Sequence, residues 1–342
     1  MSFQVRTEER PGAAGPLTVC VLEDGRGAVA KVCPALGFNC YRWHVPGAGE
    51  LLYCDPNFFT DGKPTRSGIP VLFPFPNRIR DGRYSWDGKE YQLPLNDPSG
   101  RNAIHGFACR HSWQVVDHGA DERSAWVVGE FRGGVDAPQE WRLWPADYRL
   151  WLTCRLRADR LQLEAVVEHI DQEIPFVEHT DQELLLPFGL GYHPYFLLPD
   201  TATGEPPDGR LEAPARSYWE LKDSLPTGAI HPVEGRRDLN GPRSVRDLTL
   251  DDVLTGVPTE SPPGAEGLCP RGRINRLFLY ASSAFRELVV FTPPHRKAVC
   301  LEPYTCTTDA INLQQRGVDA GLLVLPPGET WTGTVEMVVV PG

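Results

Sequence analysis

The sequence predicts an all-β fold, and three observations support this fold class. Apolar and polar residues alternate with a period of two along residues 148–156 and again along residues 161–167, as in strands with one buried face. No segment shows an amphipathic helical pattern of ordinary length. The chain of 342 residues contains 33 glycines and 33 prolines, which is typical of many short strands joined by turns.

Shorter signals predict further strands and turns. Residues 17–52 contain β-type runs interrupted by glycine, while residues 200–209 and 255–272 have the composition of surface loops. Asp87-Gly88 separates two short alternating segments, and this pair favours a type I′ hairpin turn because both central residues need a positive φ. The remaining predicted strands are residues 112–116, 125–129, 288–291, 298–301 and 330–340.

Composition and charge exclude several classes of protein. Hydrophobic residues make up 41% of the chain, enough for a sizeable core, and the net charge is −11. This acidic balance argues against a nucleic-acid partner and weakly against an anionic substrate. The nine cysteines are odd in number, scattered and without a C-x-x-C pair. We therefore expect buried free thiols rather than a disulfide framework or a zinc site.

The sequence carries no targeting signal that we recognise. The N-terminal segment is polar and lacks the apolar stretch of a signal peptide, and no apolar run is long enough to span a membrane. We expect a cytoplasmic protein with no membrane partner, acting as a monomer or homodimer.

Residues 68–110 concentrate the features that suggest a polar site on an apolar base. An apolar run at residues 69–75 is followed directly by Asn77 and Arg78. The stretch then passes through the predicted hairpin and ends in His105-Gly106. Because glycine lets another backbone approach closely, this histidine is expected at a tightly packed position.

These residues resemble the aldose 1-epimerase (galactose mutarotase) family, in which an N-R-I element, a G-x-Y hairpin and an H-G element recur in this order. Residues 191–196 and 300–304, G-Y-H-P-Y-F and C-L-E-P-Y, match two later elements of the same family. The resemblance extends over most of the chain. It implies one large β-sandwich domain of antiparallel sheets over residues 1–342, with a sugar cleft across one sheet.

The resemblance implies mutarotation of a monosaccharide, the interconversion of the two anomers of a cyclic sugar. A base takes the proton of the anomeric hydroxyl while an acid protonates the ring oxygen, and the opened sugar turns about its C1–C2 bond before closing. This chemistry needs a poised acid–base pair and no cofactor.

Glu302 and His193 are the candidates for that pair. Glu302 follows an apolar run at a predicted strand end, where burial is expected to raise the pKa of its carboxyl. His193 is the candidate acid because the ordinary pKa of histidine is close to physiological pH. Its neighbours Tyr192, Pro194 and Tyr195 are expected to line the sugar site.

The resemblance assigns the remaining polar contacts. His105 is expected to hydrogen-bond the ring oxygen or a neighbouring hydroxyl. Arg78 is expected to hold a hydroxyl or a carboxylate, with Asn77 supporting it. Asp251 matches the sugar-binding aspartate of the family, and Asp252 is the alternative one position along the chain.

Two alternative functions remain open from the sequence. One is a hexose-6-phosphate 1-epimerase of the same superfamily, since residues 66–70, R-S-G-I-P, resemble an element of that branch. Arg236, Arg237 and Arg243 are its candidate phosphate contacts. The other is a non-catalytic sugar-binding protein on the same scaffold, which has no need of an acid–base pair.

A short repeat gives one further hypothesis. The heptad V-E-H-I-D-Q-E at residues 167–173 recurs as V-E-H-T-D-Q-E at residues 177–183. Its histidines, His169 and His179, alternate with acids and could bind a metal ion. A duplicated, solvated strand and turn is the preferred interpretation.

Overall fold

The computed structural model describes residues 2–170, 184–199, 207–262 and 267–340, and antiparallel strands dominate these ranges. The strands before residue 110 are β1 (Gln4–Gly12), β2 (Gly15–Glu23), β3 (Val29–Cys33), β4 (Asn39–Val45), β5 (Gly49–Glu50), β6 (Val71–Leu72), β7 (Arg78–Ile79), β8 (Arg83–Trp86), β9 (Lys89–Gln92) and β10 (Ala103–Ile104). The central strands are β11 (Gln114–Ala120), β12 (Ala125–Arg132), β13 (Tyr148–Arg157), β14 (Arg160–His169), β15 (Leu186–Phe188), β16 (Gly191–Tyr192), β17 (Tyr195–Leu197), β18 (Arg210–Glu212), β19 (Ser217–Lys222) and β20 (Leu225–Pro232).

The C-terminal part of the chain completes the sheets, and short helices lie between strands. The last strands are β21 (Arg243–Ser244), β22 (Asp251–Thr255), β23 (Leu268–Ile274), β24 (Leu277–Ser282), β25 (Glu287–Phe291), β26 (Ala298–Tyr304), β27 (Leu323–Leu325) and β28 (Thr330–Val339). The α-helices are α1 (Phe58–Asp61), α2 (Gly133–Asp136) and α3 (Ala310–Gln315). Within the described ranges, no helix is long and apolar enough to cross a membrane.

Two large antiparallel sheets form a β-sandwich. The nine-stranded sheet has the order β11-β12-β13-β14-β28-β24-β23-β18-β21. The eight-stranded sheet has the order β20-β19-β22-β25-β26-β16-β6, with β17 also paired to β26. A five-stranded N-terminal sheet, β1 to β5, packs beside them and contributes to the same hydrophobic core. The expected all-β sandwich is therefore the observed fold.

The main core lies between the two large sheets and explains which side chains remain available for a site. Leu150 and Leu163 of the nine-stranded sheet share one buried cluster with Val299 and Leu301 of the eight-stranded sheet. Because neighbouring strand residues point to opposite faces, Glu302 is directed away from this core. The outer face of the eight-stranded sheet therefore presents the polar groups.

Several predicted local features are confirmed, with changes at element ends. The hairpin β8–β9 turns at Asp87 and Gly88, whose φ angles are 47° and 75°, as a type I′ turn requires. The predicted strand at 298–301 continues to Tyr304, so Glu302 lies inside a strand rather than at its end. The sequence analysis missed β1, whose residues pair with β2 along its whole length.

Candidate active site

Glu302 lies at the centre of the outer face of the eight-stranded sheet. It is 1% exposed and pairs across the ladder with Val289 of β25. Cys300 and Tyr304, two positions away on either side, share its face of β26, since strand side chains alternate. The region next to this carboxyl group, bordered by His193, Arg78 and Asp251, is the candidate for the sugar cleft that the resemblance implies.

His193 is placed against Glu302 by the loop between β16 and β17. Its backbone N–H donates to the carbonyl of Pro70 at 3.1 Å, which ties this loop to the segment before β6. The side chain is 8% exposed, and Nε2 lies 3.3 Å from Oε1 of Glu302. The structure therefore brings together the two residues that the sequence proposed as acid and base.

Burial has the largest effect on the protonation of this pair. It raises the pKa of Glu302 well above its usual range; a hydrogen bond from Tyr304 and the charge of Arg78 oppose this effect. Burial also lowers the pKa of His193 to about 3. Both directions favour the neutral pair, protonated Glu302 with neutral His193, because neither charge is well solvated. Proton transfer across the 3.3 Å contact would convert the neutral pair into the ionised pair, a Glu302 carboxylate beside a His193 imidazolium.

An aromatic wall holds His193 in this orientation. The ring of Tyr195 stacks on the imidazole with centroids 4.6 Å apart and an interplanar angle of 3°. The Tyr195 hydroxyl donates to the backbone carbonyl of Thr65 at 2.9 Å. Tyr192, by contrast, is fully buried in the main core and lies 5.9 Å from Phe285 between ring centroids. The expectation that Tyr192 lines the site was wrong, because it points to the other face of the sheet.

Arg78 is clamped beside the cleft by two acceptors. Its Nε donates to Oδ2 of Asp97 at 3.3 Å, and its Nη1 donates to Oδ1 of Asn77 at 3.1 Å. Burial raises the pKa of Asp97, but hydrogen bonds from Asn102, Ser99 and the Arg101 backbone outweigh it and keep the carboxyl ionised. A guanidinium held in this way presents its remaining N–H groups in a fixed direction.

His105 lies on the same side as His193, at a backbone position with a φ of 65°. Its backbone N–H donates to the carbonyl of Asn77 at 2.8 Å, and the two imidazole centroids are 5.7 Å apart. A Cβ on Gly106 would lie 2.2 Å from the carbonyl oxygen of Phe73, so only glycine fits there. The close approach expected from the H-G element is confirmed.

The two imidazoles of the site keep unsatisfied polar atoms. Nδ1 of His105 and Nδ1 of His193 are buried without a hydrogen-bond partner in the part of the chain that the structure describes. Burial, followed by the charge of His193 and nearby arginines, lowers the pKa of His105 well below its usual range. A neutral imidazole carries one donor and one acceptor nitrogen, which suits hydrogen bonding to hydroxyl groups.

The structure separates the environments of Asp251 and Asp252. Asp251, at the start of β22, is exposed to the cleft, and its charge acts on both Glu302 and Arg78. Asp252 is 4% exposed and accepts a hydrogen bond from Nε of Arg237 at 2.6 Å. Alternation along β22 therefore leaves Asp251 as the aspartate of the site.

The arginines proposed as phosphate contacts are engaged elsewhere. Arg236 and Arg237 form ion pairs with Asp252, at 3.5 and 2.6 Å. Arg243 donates to the backbone carbonyls of Gly235 and Asp238. These contacts give the three side chains structural roles and do not favour the phosphorylated substrate.

Potential metal ligands converge at one place in the described ranges. His193, Cys300 and Glu302 offer ligand atoms within 4.8 Å of one another. Metal-bound histidines normally donate their second nitrogen to an acceptor, and Nδ1 of His193 has no such partner there. The contact between Nε2 of His193 and Oε1 of Glu302 fits proton exchange better than metal binding.

The structure describes only part of the V-E-H repeat. His169 is buried and its Nδ1 contacts the carbonyl of Leu325 at 2.9 Å, whereas His179 lies outside the described residues.

Two residues of the site were missed by the sequence analysis. Asp97 orients Arg78, and Tyr304 donates a hydrogen bond to Oε2 of Glu302. Tyr304 belongs to the same C-L-E-P-Y element as Glu302, and the period-two alternation of a strand could have placed both on one face. Asp97 lies in a loop and carries no comparable sequence signal.

Comparisons with known proteins were made over the whole chain. A sequence profile of the aldose 1-epimerase family matches residues 19–338. The uncharacterized protein YphB of Escherichia coli strain K12 is 34% identical over 285 residues, covering 81% of this chain and 85% of YphB. Galactose mutarotase of Rattus norvegicus is 28% identical over 164 residues, covering 46% of this chain and 41% of that protein.

Solved structures share the fold along nearly the whole chain. A galactose mutarotase-like protein from Clostridium acetobutylicum superposes with a TM-score of 0.81 at 23% identity, covering 99% of both chains. A galactose 1-epimerase from Lactobacillus acidophilus NCFM gives a TM-score of 0.73 at 18% identity, again over 99% of both chains. At these identities the likeness is one of architecture, and it agrees with the sandwich described above.

Proposed function

The chain belongs to the aldose 1-epimerase family, and from this premise we propose that it interconverts the α and β anomers of an aldose. The observation that carries the proposal is the contact between Nε2 of His193 and Oε1 of Glu302, 3.3 Å apart on the buried floor of the cleft. A buried acid–base pair at hydrogen-bond distance can exchange protons with a bound hydroxyl at neutral pH.

In the proposed reaction Glu302 takes the proton of the anomeric hydroxyl while His193 delivers one to the ring oxygen. The bond between C1 and the ring oxygen breaks, and the carbonyl of the open-chain aldose forms. After rotation about C1–C2, the same ring oxygen attacks the other face of the carbonyl. His193 then recovers its proton from this oxygen, and Glu302 returns its proton to the anomeric oxygen. Each turnover therefore restores the starting protonation state, so no cofactor is required.

The other cleft residues are assigned to binding. His105 is assigned to the ring oxygen or an adjacent hydroxyl, because its imidazole lies beside that of His193, with ring centroids 5.7 Å apart. Arg78 presents donors to hydroxyl oxygens, and Asp251 presents an acceptor to hydroxyl hydrogens. Such convergent polar groups on a fixed scaffold hold the sugar with its anomeric carbon at the acid–base pair.

The substrate we propose is a neutral sugar. The three arginines named as candidate phosphate contacts, Arg236, Arg237 and Arg243, contact Asp252 or backbone carbonyls, whereas Arg66 of the R-S-G-I-P element is exposed. Within the site, the cation Arg78 is accompanied by Asp97 and Asp251. An uncharged, hydroxyl-rich ligand matches this balance of donors and acceptors.

The proposal is tested by following the anomers directly. Freshly dissolved α-anomers of several free and 6-phosphorylated aldoses are mixed with the protein, and the approach to equilibrium is recorded by polarimetry and NMR exchange spectroscopy. We expect catalysis above the spontaneous rate for at least one neutral sugar, with no gain in kcat/KM from a 6-phosphate. Tight sugar binding without any acceleration would instead establish a binding protein, and a large gain from the phosphate would establish the hexose-6-phosphate activity.

A further inference from the structure

We propose that Tyr304 is a positioning residue for the acid–base pair. Its hydroxyl binds one oxygen of the Glu302 carboxyl, so that the other oxygen faces His193 and the cleft. This inference rests on the proposed function. Tyr304 donates its hydroxyl hydrogen to Oε2 of Glu302, while Oε1 lies 3.3 Å from Nε2 of His193. The two carboxylate oxygens therefore have different partners, and the rotation of the carboxyl about its last bond is fixed.

The surroundings of Tyr304 restrict the position of its ring. Tyr304 is fully buried and packs in an apolar cluster with Leu72 and Val289. Gly191 of β16 pairs with Tyr304, and a Cβ at Gly191 would lie 2.4 Å from Cδ1 of the phenol ring. Any larger residue at position 191 would therefore displace the ring from Glu302. A hydroxyl held this firmly loses little conformational freedom when it binds the carboxylate.

The phenol also influences which protonation state of Glu302 is available. The groups that face its carboxyl are Tyr304, His193, Arg78, Asp251 and Cys300. Burial and Asp251 raise the pKa of Glu302, whereas the Tyr304 hydrogen bond and Arg78 lower it. Burial raises the pKa of Tyr304 itself well above its usual range, so the phenol remains a donor at every working pH. Without this donor, Oε2 would be buried and unpaired whenever Glu302 is ionised.

The test compares Tyr304→Phe with a matched control, Tyr192→Phe. Both tyrosines are fully buried on neighbouring strands, but the Tyr192 hydroxyl has no partner within the described ranges. We expect Tyr304→Phe to lower kcat by roughly 10- to 100-fold and to move the basic limb of the pH profile, where the neutral pair loses the proton of Glu302, upward by about one to two pH units. Tyr192→Phe should change neither quantity. Superimposable pH profiles for Tyr304→Phe and the wild type would overturn the proposal.

A second readout does not depend on turnover. The infrared carbonyl band of the protonated Glu302 carboxyl, identified by its loss in Glu302→Gln, is titrated against pH in sugar-free protein. Its midpoint should rise in Tyr304→Phe and stay constant in Tyr192→Phe; an unchanged midpoint in Tyr304→Phe contradicts the inference. If no sugar is turned over but the midpoint shifts, the proposed function fails while the coupling of Tyr304 to Glu302 stands.

One further variant and one labelled protein distinguish the positioning role from a purely structural effect. Tyr304→Gln retains an N–H donor, and we expect it to recover part of the activity that Tyr304→Phe loses, with similar thermal unfolding temperatures. If Tyr304→Phe does not fold, Tyr304→Gln and uniform incorporation of 3-fluorotyrosine, a stronger phenol donor, replace it in the infrared titration. Fluorotyrosine should lower the midpoint of the Glu302 titration. A midpoint that does not change with the donor strength of the phenol would refute the positioning role.

Discussion

Nε2 of His193 lies 3.3 Å from Oε1 of Glu302, although the histidine is in a loop between two short strands and the glutamate is inside a central strand. At this distance the two groups act as one unit that holds one exchangeable proton at working pH. Burial favours the neutral form of the unit, so the ionised form, which the proposed ring opening requires, is the minor tautomer. Its proportion is set by the groups around Glu302 and by the bound sugar.

Replacing Glu302 should remove the base while leaving the cleft in place. Glu302→Gln keeps the shape of the side chain, and we expect mutarotation to fall by about 10²- to 10⁴-fold. Sugar affinity, measured by calorimetry, should change little. Glu287→Gln is the matched control, because Glu287 is a fully buried glutamate on the neighbouring strand without contact to the pair. A Glu302→Gln enzyme within about threefold of wild type would exclude Glu302 as the base.

The two histidines should differ in their effect on the pH profile. For the wild type, kcat/KM is expected to be bell-shaped, since only the singly protonated pair is active. His193→Asn should lower the rate and remove one limb, because an amide cannot deliver a proton. His105→Asn should lower the rate but retain both limbs, since its assigned role is hydrogen bonding. If the limb disappears in the His105 variant and survives in the His193 variant, the two roles are exchanged.

Substitution of Asp251 should affect sugar binding, and substitution of Asp252 should affect the stability of the fold. Asp251→Asn is expected to raise KM, because it removes the charged acceptor at the cleft, while the unfolding temperature stays near that of the wild type. Asp252→Asn breaks the contacts with Arg236 and Arg237 and should lower the free energy of unfolding by about 1–3 kcal/mol, with KM nearly unchanged. Steady-state kinetics and urea unfolding of both variants measure the two effects. The reverse pattern would make Asp252 the sugar ligand.

Chelation should leave the activity intact. The proposed proton transfers use the side chains of His193 and Glu302 alone, so dialysis against EDTA is expected to leave kcat and KM unchanged. Metal content, measured by mass spectrometry before and after dialysis, serves as the control. Loss of activity on chelation, with recovery on adding a divalent ion, would restore the metal hypothesis for the repeat that contains His169 and His179.

Glu287 should make the stability depend on pH. Burial raises the pKa of Glu287 from 4.5 to about 7, although Trp219 donates to its Oε2 at 3.0 Å. The folded state therefore binds this proton more tightly than the unfolded state. The stabilisation of the folded state by the protonated Glu287 carboxyl is fully present below pH 4.5 and is lost as the pH rises to about 7.

Urea unfolding of the wild type and Glu287→Gln at pH 4.5 and pH 8 measures this contribution. The interval between the two pKa values corresponds to roughly 3 kcal/mol. The stability of Glu287→Gln relative to the wild type should therefore increase by about that amount at the higher pH. An equal difference at both pH values would show that Glu287 does not titrate in this range.

The sequence by itself determined the fold class and the hairpin at Asp87-Gly88, and it proposed most residues of the candidate site, although Asp97 and Tyr304 were missed. These features follow from short-range rules, since alternation reports a half-buried strand and a positive φ at two successive residues favours Asp-Gly. The resemblance to aldose 1-epimerases then selected Glu302 and His193 among many polar residues, because motif order is a property of the linear chain.

Only the tertiary structure decided on which face of the sheet each of these side chains lies and how far apart the side chains are. Alternation shows that Asp251 and Asp252 point in opposite directions, but strand pairing determines which of them faces the cleft. The same applies to Tyr192, which the sheet turns into the core, and to Tyr304, which it places against Glu302. The 3.3 Å contact in the acid–base pair, and the burial that sets its protonation, arise only when distant strands meet, because burial depends on every element packed around a group.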